Sequence, residues 1–483
     1  MRSIFELLLS AGLWLGIPVA SSALGRAESP LKPNIVLVLA DDLGWGDLGC
    51  YNAESRIPTP SLDRLAGQGM RFTDAHSPSS VCTPTRYALL TGRYAWRTRL
   101  KSGVLWGYSP PLVEPGRVTL ASVLRDRGYA TSCIGKWHLG LAWATREPAQ
   151  FGDLPEPAAS PALVDYTKQV STGPLTVGFE HSFVLPGSLD MEPYVFVENG
   201  RPLGPVTGRV EGSIHQRKGG RGFWRAGPIG PGFTHEGCQP RLLAEAEAFL
   251  RRQTRERPFL LYFSLTAPHD PWVPQPEYRG RSKAGDRGDF VVQVDAAVGR
   301  ILSVLQERGL ADNTIVVFAS DNGAHWLPDE VEKTGHRANG PWRGQKSDAW
   351  EGGHRIPLIV RWPDHVRSGS TSDALVCLSD ILATAAEILG LKLPKTAAED
   401  SISFLAVLRE QARTARKSLV MHSANGVFAI RRGDWKLIEA QGSGGWSPGE
   451  VAESAQLYNL RDDPGEQANH FSDRATIAKR LRG

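Results

Sequence analysis

The stretch Pro33–Asp42, PNIVLVLADD, decides how the rest of the chain is read. It is an unbroken, β-rich apolar run that ends in two adjacent carboxylates. A half-exposed strand alternates apolar and polar residues. A continuous run predicts a strand buried on both faces, as in a parallel sheet covered by helices. The acids then lie at its C-terminal end.

The same grammar returns along the chain. Thr59–Gly69 predicts a short helix capped at Thr59 or Ser61, carrying Leu62 and Leu65 and ended by Gly67 and Gly69. MRFTDAHS (70–77) reads as the next strand and TRYALLTGR (85–93) as a helix. Thr119–Gly140 reads as a helix closed by Gly128, a strand and a loop. Pro240–Pro271 and Asp289–Trp326 repeat helix, strand and polar loop. EGGHRIPLIVRWP (351–363) is a strand entry, and Leu375–Leu391 a helix. Alternating strands and helices predict an α/β fold with a mainly parallel sheet flanked by helices. Ligands gather outside the carboxyl ends of such strands. Asp41, Asp42, Asp321 and Asn322 are therefore expected to converge.

Two regions break the pattern. Residues 142–235 are rich in Gly and Pro with scattered bases, and read as excursions over the site. After about residue 397, KSLVMHS, GVFAIRRGDWKLIEA and AQLYNLRDDPGE predict short antiparallel strands. The expected division is 1–27, 28–396 and 397–483, the last a small antiparallel α+β subdomain. Residues 1–27 carry an early Arg, an apolar stretch from about Leu7 to Ala20 and then small residues, the pattern of a secretory signal peptide cut after Ala23 or Ala27. That predicts an exported protein, periplasmic or secreted, with no membrane span in the mature chain.

Composition bounds the chemistry. The chain is 41% hydrophobic and 22% charged, the balance of a folded soluble protein. A net charge of +4 over 483 residues is too dilute for a nucleic-acid face but suits an anionic substrate. The five cysteines, Cys50, Cys82, Cys133, Cys238 and Cys377, lack the close spacing of a zinc site. An odd number in an exported chain leaves one unpaired, and Cys82 is the candidate.

Three carboxylates and an amide oxygen on strand ends make a hard, all-oxygen site suited to Ca²⁺ or Mg²⁺. Lys136 and His138 (GKWHLG), His269 (TAPHDP) and Lys346 (in a Gly-bounded loop) fall at the same sheet edge. With Arg86 they describe a pocket for a tetrahedral oxyanion. Cys82, at the mouth of a helix with Arg86 one turn on, is placed as a nucleophile of lowered pKa. A thiolate is nevertheless a soft ligand beside a hard metal, and the residues alone leave that tension open.

Cys82-Thr-Pro-Thr-Arg86 followed by ALLTGR resembles the C-x-P-x-R signature of the formylglycine-dependent (type I) sulfatases. The likeness runs from PNIVLVLADDLGWGDLGCYN to LYNLRDDPGEQANH and is greatest to the arylsulfatase A and N-acetylgalactosamine-sulfatase group. It implies an alkaline-phosphatase-like fold and a Cys82 converted to formylglycine by a formylglycine-generating enzyme, so that an oxygen faces the metal. It implies one calcium ion held by Asp41, Asp42, Asp321 and Asn322 with modified Cys82. Arg86 would steady the formylglycine, Lys136 and Lys346 bind sulfate, His138 act as base, and His269 with Lys346 protonate the leaving alcohol. The substrate expected is a sulfated carbohydrate, with HQRKGGRGFWR (215–225) offering Trp224 for stacking and Arg217, Lys218 and Arg221 for further anions. Two rivals remain: a formylglycine-dependent phosphonate or phosphate ester hydrolase, and a non-catalytic binder of sulfated glycan should Cys82 stay a thiol.

Overall fold

In a computed structural model of the chain, which describes residues 32–147, 163–213, 223–326 and 328–483, the apolar run forms β1 (Asn34–Ala40), buried at every residue. Residues 1–27, expected as a signal peptide, and His215, Arg217, Lys218 and Arg221 lie outside the described residues. β1 is flanked by parallel partners on both sides, β5 (Phe259–Ser264) and β6 (Thr314–Ser320). β3 (Ala130–Lys136) continues the parallel set beyond β5, and β4 (His181–Leu185) beyond β3. On the other side β7 (Leu358–Arg361) runs antiparallel to β6. Then come β2 (Met70–Phe72), antiparallel to β7, and the edge strand β8 (Ser370–Ser372), parallel to β2. The order is β8-β2-β7-β6-β1-β5-β3-β4, extended by the short strands Val197–Glu198 and Arg201–Pro202.

The continuous apolar pattern has a direct cause. Ile35, Leu37 and Leu39 enter one core, and Val36, Val38 and Ala40 the other. The first core is closed by α2 (Cys82–Thr91), α3 (Leu120–Arg125) and α6 (Ile381–Ile388), through residues such as Leu89, Leu124 and Leu382. The second is closed by α1 (Pro60–Gly67), α4 (His235–Arg251) and α5 (Gly285–Glu307), through Leu62, Leu242 and Val294. Each large apolar side chain so buried stabilises the fold by about 1.5–3 kcal/mol.

Two local expectations are corrected. MRFTDAHS is not one strand: β2 stops at Phe72, and Ala75–His76 leaves the sheet to pair with Val376–Cys377. Asp74 stands at the break, taking Arg355 and Arg431 as ion-pair partners. EGGH (351–354) is a helical turn before β7, because Glu351, His354 and Arg355 are held in a buried charge cluster. The C-terminal strands form the expected antiparallel sheet, β9 (Ser418–His422), β10 (Phe428–Arg432), β11 (Trp435–Ile438) and β12 (Gln456–Asn459). Residues 32–483 are one compact unit. All five cysteines are unpaired.

Candidate active site

Parallel strands end together, and here β1, β3, β5 and β6 deliver their polar ends to one edge. β1 gives Asp41 and Asp42, β6 gives Asp321 and Asn322, and β3 ends at Lys136 with His138 beyond it. The loop after β5 gives His269. The close approach of β3 to β5 requires Gly135: a Cβ there would lie 1.7 Å from the Ser264 carbonyl oxygen. Asp42 (φ +64°) and His138 (φ +53°) hold the left-handed region without being glycine, a strain that concentrates at sites which the surroundings over-determine.

Cys82 is the first residue of α2 and is buried, with Arg86 one turn further on. The Arg86 guanidinium organises the centre. Its Nε and Nη2 donate to Asp321 Oδ2 at 3.0 and 2.6 Å, and Nη1 donates to the Lys136 carbonyl at 3.2 Å and to the Ser264 hydroxyl. It also faces Asp41 Oδ1 at 3.3 Å. Lys136 Nζ donates to both Asp41 oxygens at 3.0 and 2.8 Å, and Lys346 Nζ to Asp42 Oδ2 at 2.7 Å. Asn322 Nδ2 donates to Asp42 Oδ1 at 2.7 Å. All ten residues singled out from the sequence therefore meet in one buried cluster, except that His138 is linked to it through the backbone: Thr83 Oγ1 donates to the His138 carbonyl at 3.0 Å.

The donor set has the makings of a cation site. Ligand atoms of Asp41, Asp42, Cys82 and His269 all lie within 4.8 Å of one another. The buried Asn322 Oδ1 has no hydrogen-bond partner among the described residues. An orphaned amide oxygen beside carboxylates is costly unless something accepts its lone pairs, so the set fits a hard cation. Cys82 is the one soft atom in it.

The two histidines are held in opposite states. His138 Nε2 donates to the Leu105 carbonyl at 2.7 Å, leaving Nδ1 as a buried acceptor without a partner among the described residues. Burial, then the charges of Lys136 and Arg86, push its pKa well below the usual range, so it is neutral. His269 Nδ1 faces the Asp270 carbonyl at 2.7 Å and Ser188 Oγ at 3.2 Å, and its Nε2 lies 3.7 Å from Asp42 Oδ2. Burial and Lys346 favour its neutral form, but Asp42 and Asp41 outweigh them and raise its pKa to about 9. Burial dominates at Asp321 and raises it to about 6 despite Arg86. At Asp41 the surrounding cations overcome burial and hold it ionised. The two histidines are thus driven apart in proton affinity by their surroundings.

The structure adds neighbours to the site, of which the sequence had offered only Arg225, among the bases of the 142–235 segment. Asp190, nearly buried, takes Arg225 as ion-pair partner at 2.8 Å, and its Oδ1 has no hydrogen-bond partner among the described residues. Burial raises its pKa, but His269 and Arg225 lower it more. Arg225 lies over the Trp106 and Phe223 rings. No local motif marks these residues, because they come from separate excursions. Trp224 has one face of its ring stacked on His235 at 4.4 Å, and its Nε1 donates to the Glu211 carbonyl.

Comparison with known proteins gives the same direction. Residues 33–391 match the family model described as sulfatase, and 345–482 match that described as N-sulphoglucosamine sulphohydrolase, C-terminal. The chain is 35% identical to an N-acetylgalactosamine-6-O-sulfatase of Bacteroides thetaiotaomicron, over 94% of this chain and 93% of the relative. It is 33% identical to human arylsulfatase A, over 90% and 83%. A solved structure from the locus through which B. thetaiotaomicron metabolises multiple glycosaminoglycans aligns with a TM-score of 0.81 at 33% identity, covering 94% of this chain and 98% of that one. A phosphonate monoester hydrolase of Agrobacterium radiobacter shares the fold, at TM-score 0.57 and 20% identity over 93% and 94%.

Proposed function

The chain belongs to the sulfatase family, and on that premise we propose that it releases inorganic sulfate from a sulfated carbohydrate, through a formylglycine made from Cys82 beside a bound calcium ion. The observation that carries the reading is the position of Cys82, whose Sγ lies among the carboxylates of Asp41 and Asp42. A thiol there is a poor ligand for the hard cation the acids call for, whereas an oxygen at the same place suits both. The carbohydrate class rests on relatives named N-acetylgalactosamine-6-sulfatase in bacteria, human and rat.

When present, the hydrated formylglycine supplies an oxygen nucleophile, and calcium, held by Asp41, Asp42, Asp321 and Asn322, supplies a Lewis acid and template. Every other role falls to the chain's own side chains. Lys136 and Lys346, both buried, neutralise the sulfate oxygens. Arg86 fixes Asp321 and the first turn of α2. His269, protonated, gives the Nε2 proton to the departing alcohol with Lys346 beside it. His138, neutral, accepts a proton at Nδ1 in the step that frees sulfate.

Maturation requires a formylglycine-generating enzyme. We assign 28–396 to catalysis, with 142–235 passing over the site, 397–483 to the C-terminal subdomain, and 1–27 to export into the periplasm or medium. No helix among the described residues is long and apolar enough to cross a membrane.

The test is the mass of the Cys82 peptide from the native host, or from a host that carries the modifying enzyme. An aldehyde or its hydrate is the expected species, and an intact thiol overturns the mechanism. Faster turnover of a phosphate or phosphonate ester than of the matching sulfate would move the protein to the rival activity.

A further inference from the structure

Four large apolar side chains are exposed among the described residues: Phe223, Ile402, Phe428 and Trp446. Trp446 is the most exposed, at 51%, and it lies at the site rather than away from it. Its ring centroid is 5.8 Å from Lys346 Nζ, within cation–π range, and 4.7 Å from the His325 ring. It comes from the Gly-rich loop GSGGWSPGE (442–450), in the C-terminal part of the chain.

The loop is seated firmly. Asp348, fully buried, accepts from Trp446 N at 2.9 Å and Ser447 N at 3.1 Å through Oδ1, and from Gln345 N at 2.9 Å through Oδ2. Ala349 N donates to the Ser443 carbonyl at 2.7 Å. Gly445 packs so closely that a Cβ would meet the Ser347 carbonyl group at 2.4 Å. One carboxylate thus ties the loop bearing Trp446 to the loop bearing Lys346.

We propose that Trp446 is the platform on which the sugar ring bearing the scissile sulfate stacks, with Asp348 as the positioning residue that keeps it in register with Lys346. The proposal rests on the sulfated-carbohydrate reading above. A sulfate held by Lys346 leaves its sugar one ester linkage away, over the indole face. A pyranose offers a face of C–H groups to an aromatic ring and keeps its hydroxyls at the edge. The neighbours are polar, as that edge requires: His325, Lys346 and Gln345, whose buried Oε1 has no hydrogen-bond partner among the described residues. An indole already fixed in place loses little entropy on binding.

The experiment compares wild type, W446A, W446F and D348N, each with Cys82 matured, on N-acetylgalactosamine 6-sulfate and on 4-nitrocatechol sulfate. For the sugar, W446A is expected to lose about 10–100-fold in kcat/KM, mainly through KM, and W446F to recover most of it. D348N should lose less, again through KM. The sugar should quench tryptophan fluorescence in wild type more than in W446F. Unchanged sugar kcat/KM in W446A, with equal quenching in W446F and wild type, overturns the platform. A loss confined to the aryl ester overturns the sugar in favour of an aromatic alcohol. Should wild type turn over no sulfate ester, the functional reading falls, while the quenching difference still decides the platform.

Discussion

Two buried clusters in this molecule have the same inventory and opposite characters. The site combines Asp41, Asp42 and Asp321 with Arg86, Lys136 and Lys346, and with His138 and His269. The other lies between the ten-stranded sheet and the C-terminal sheet. It combines Asp74, Glu351 and Glu466 with Arg355, Arg431 and Lys436, and with His76 and His354. By distance alone, His76, Glu351 and His354 would also hold a metal. The hydrogen bonds separate the two. In the second cluster His76 Nδ1 meets His354 Nδ1 at 3.0 Å, His76 Nε2 meets Asp74 at 2.8 Å and Lys436 Nζ meets His354 Nε2 at 2.9 Å. Lys436 also pairs with Glu351 at 3.0 Å and Glu466 at 2.8 Å. A lysine therefore occupies the place of a cation. Both histidines are pushed towards neutrality, by burial first. In the site, Asn322 Oδ1 and His138 Nδ1 are left open, and one histidine is neutral while the other is charged. Spare capacity, not charge count, distinguishes a reactive cluster from a structural one.

The sharpest way to break this contrast is to remove one basic group from each cluster. His138→Ala should lower kcat about 10²–10⁴-fold in the molecules that fold, the usual range for a general base, beside a stability cost from the buried ring it removes. Lys436→Met strands Glu466 without a cation and leaves Glu351 with Arg355 alone. It should cost about 3–5 kcal/mol of stability, read by chemical denaturation, with activity per folded molecule retained. An unchanged kcat in the first or a lost kcat per folded molecule in the second would erase the distinction.

Calcium should act on one cluster alone. At about 100 times its dissociation constant it should add about 2.7 kcal/mol, seen as a rise in unfolding temperature. Asp42→Asn should abolish the rise, and Glu466→Gln should keep it.

The smallest effect is a pH dependence of the structural cluster. Burial, with Glu351 nearby, raises Glu466 to about 7 from an ordinary 4.5, against the pull of Lys436. Its contribution is full below pH 4.5 and is lost as the pH climbs through about 7. The unfolding temperature of wild type should therefore fall by about 1–3 °C relative to Glu466→Gln across that window. Parallel pH curves for the two proteins would remove Glu466 from the account.

The legible part of the fold is the part with local patterns. PNIVLVLADD announced a doubly covered strand, and the strand ends carried the acids, lysines and histidines that meet at the site. MRFTDAHS broke in two and EGGH became a helical turn because Asp74, Glu351 and Arg355 answer to partners far along the chain. Trp224 and Trp446 each sit in a Gly-bearing stretch with nothing local to rank them. Packing stacks the first on His235 and leaves the second half exposed beside His325 and Lys346.

The amino-acid sequence by itself determined the α/β grammar, the Cys82–Arg86 motif and the strand-end acids that gather at one edge, because periodicity and spacing are properties of neighbours along the chain. Only the tertiary structure decided which way burial and neighbouring charges drive each histidine, which acid cluster holds an unpartnered amide oxygen and which tryptophan stands exposed beside Lys346. Proton affinity, hydrogen-bond capacity and exposure depend on groups brought together from distant segments, and no local pattern carries them.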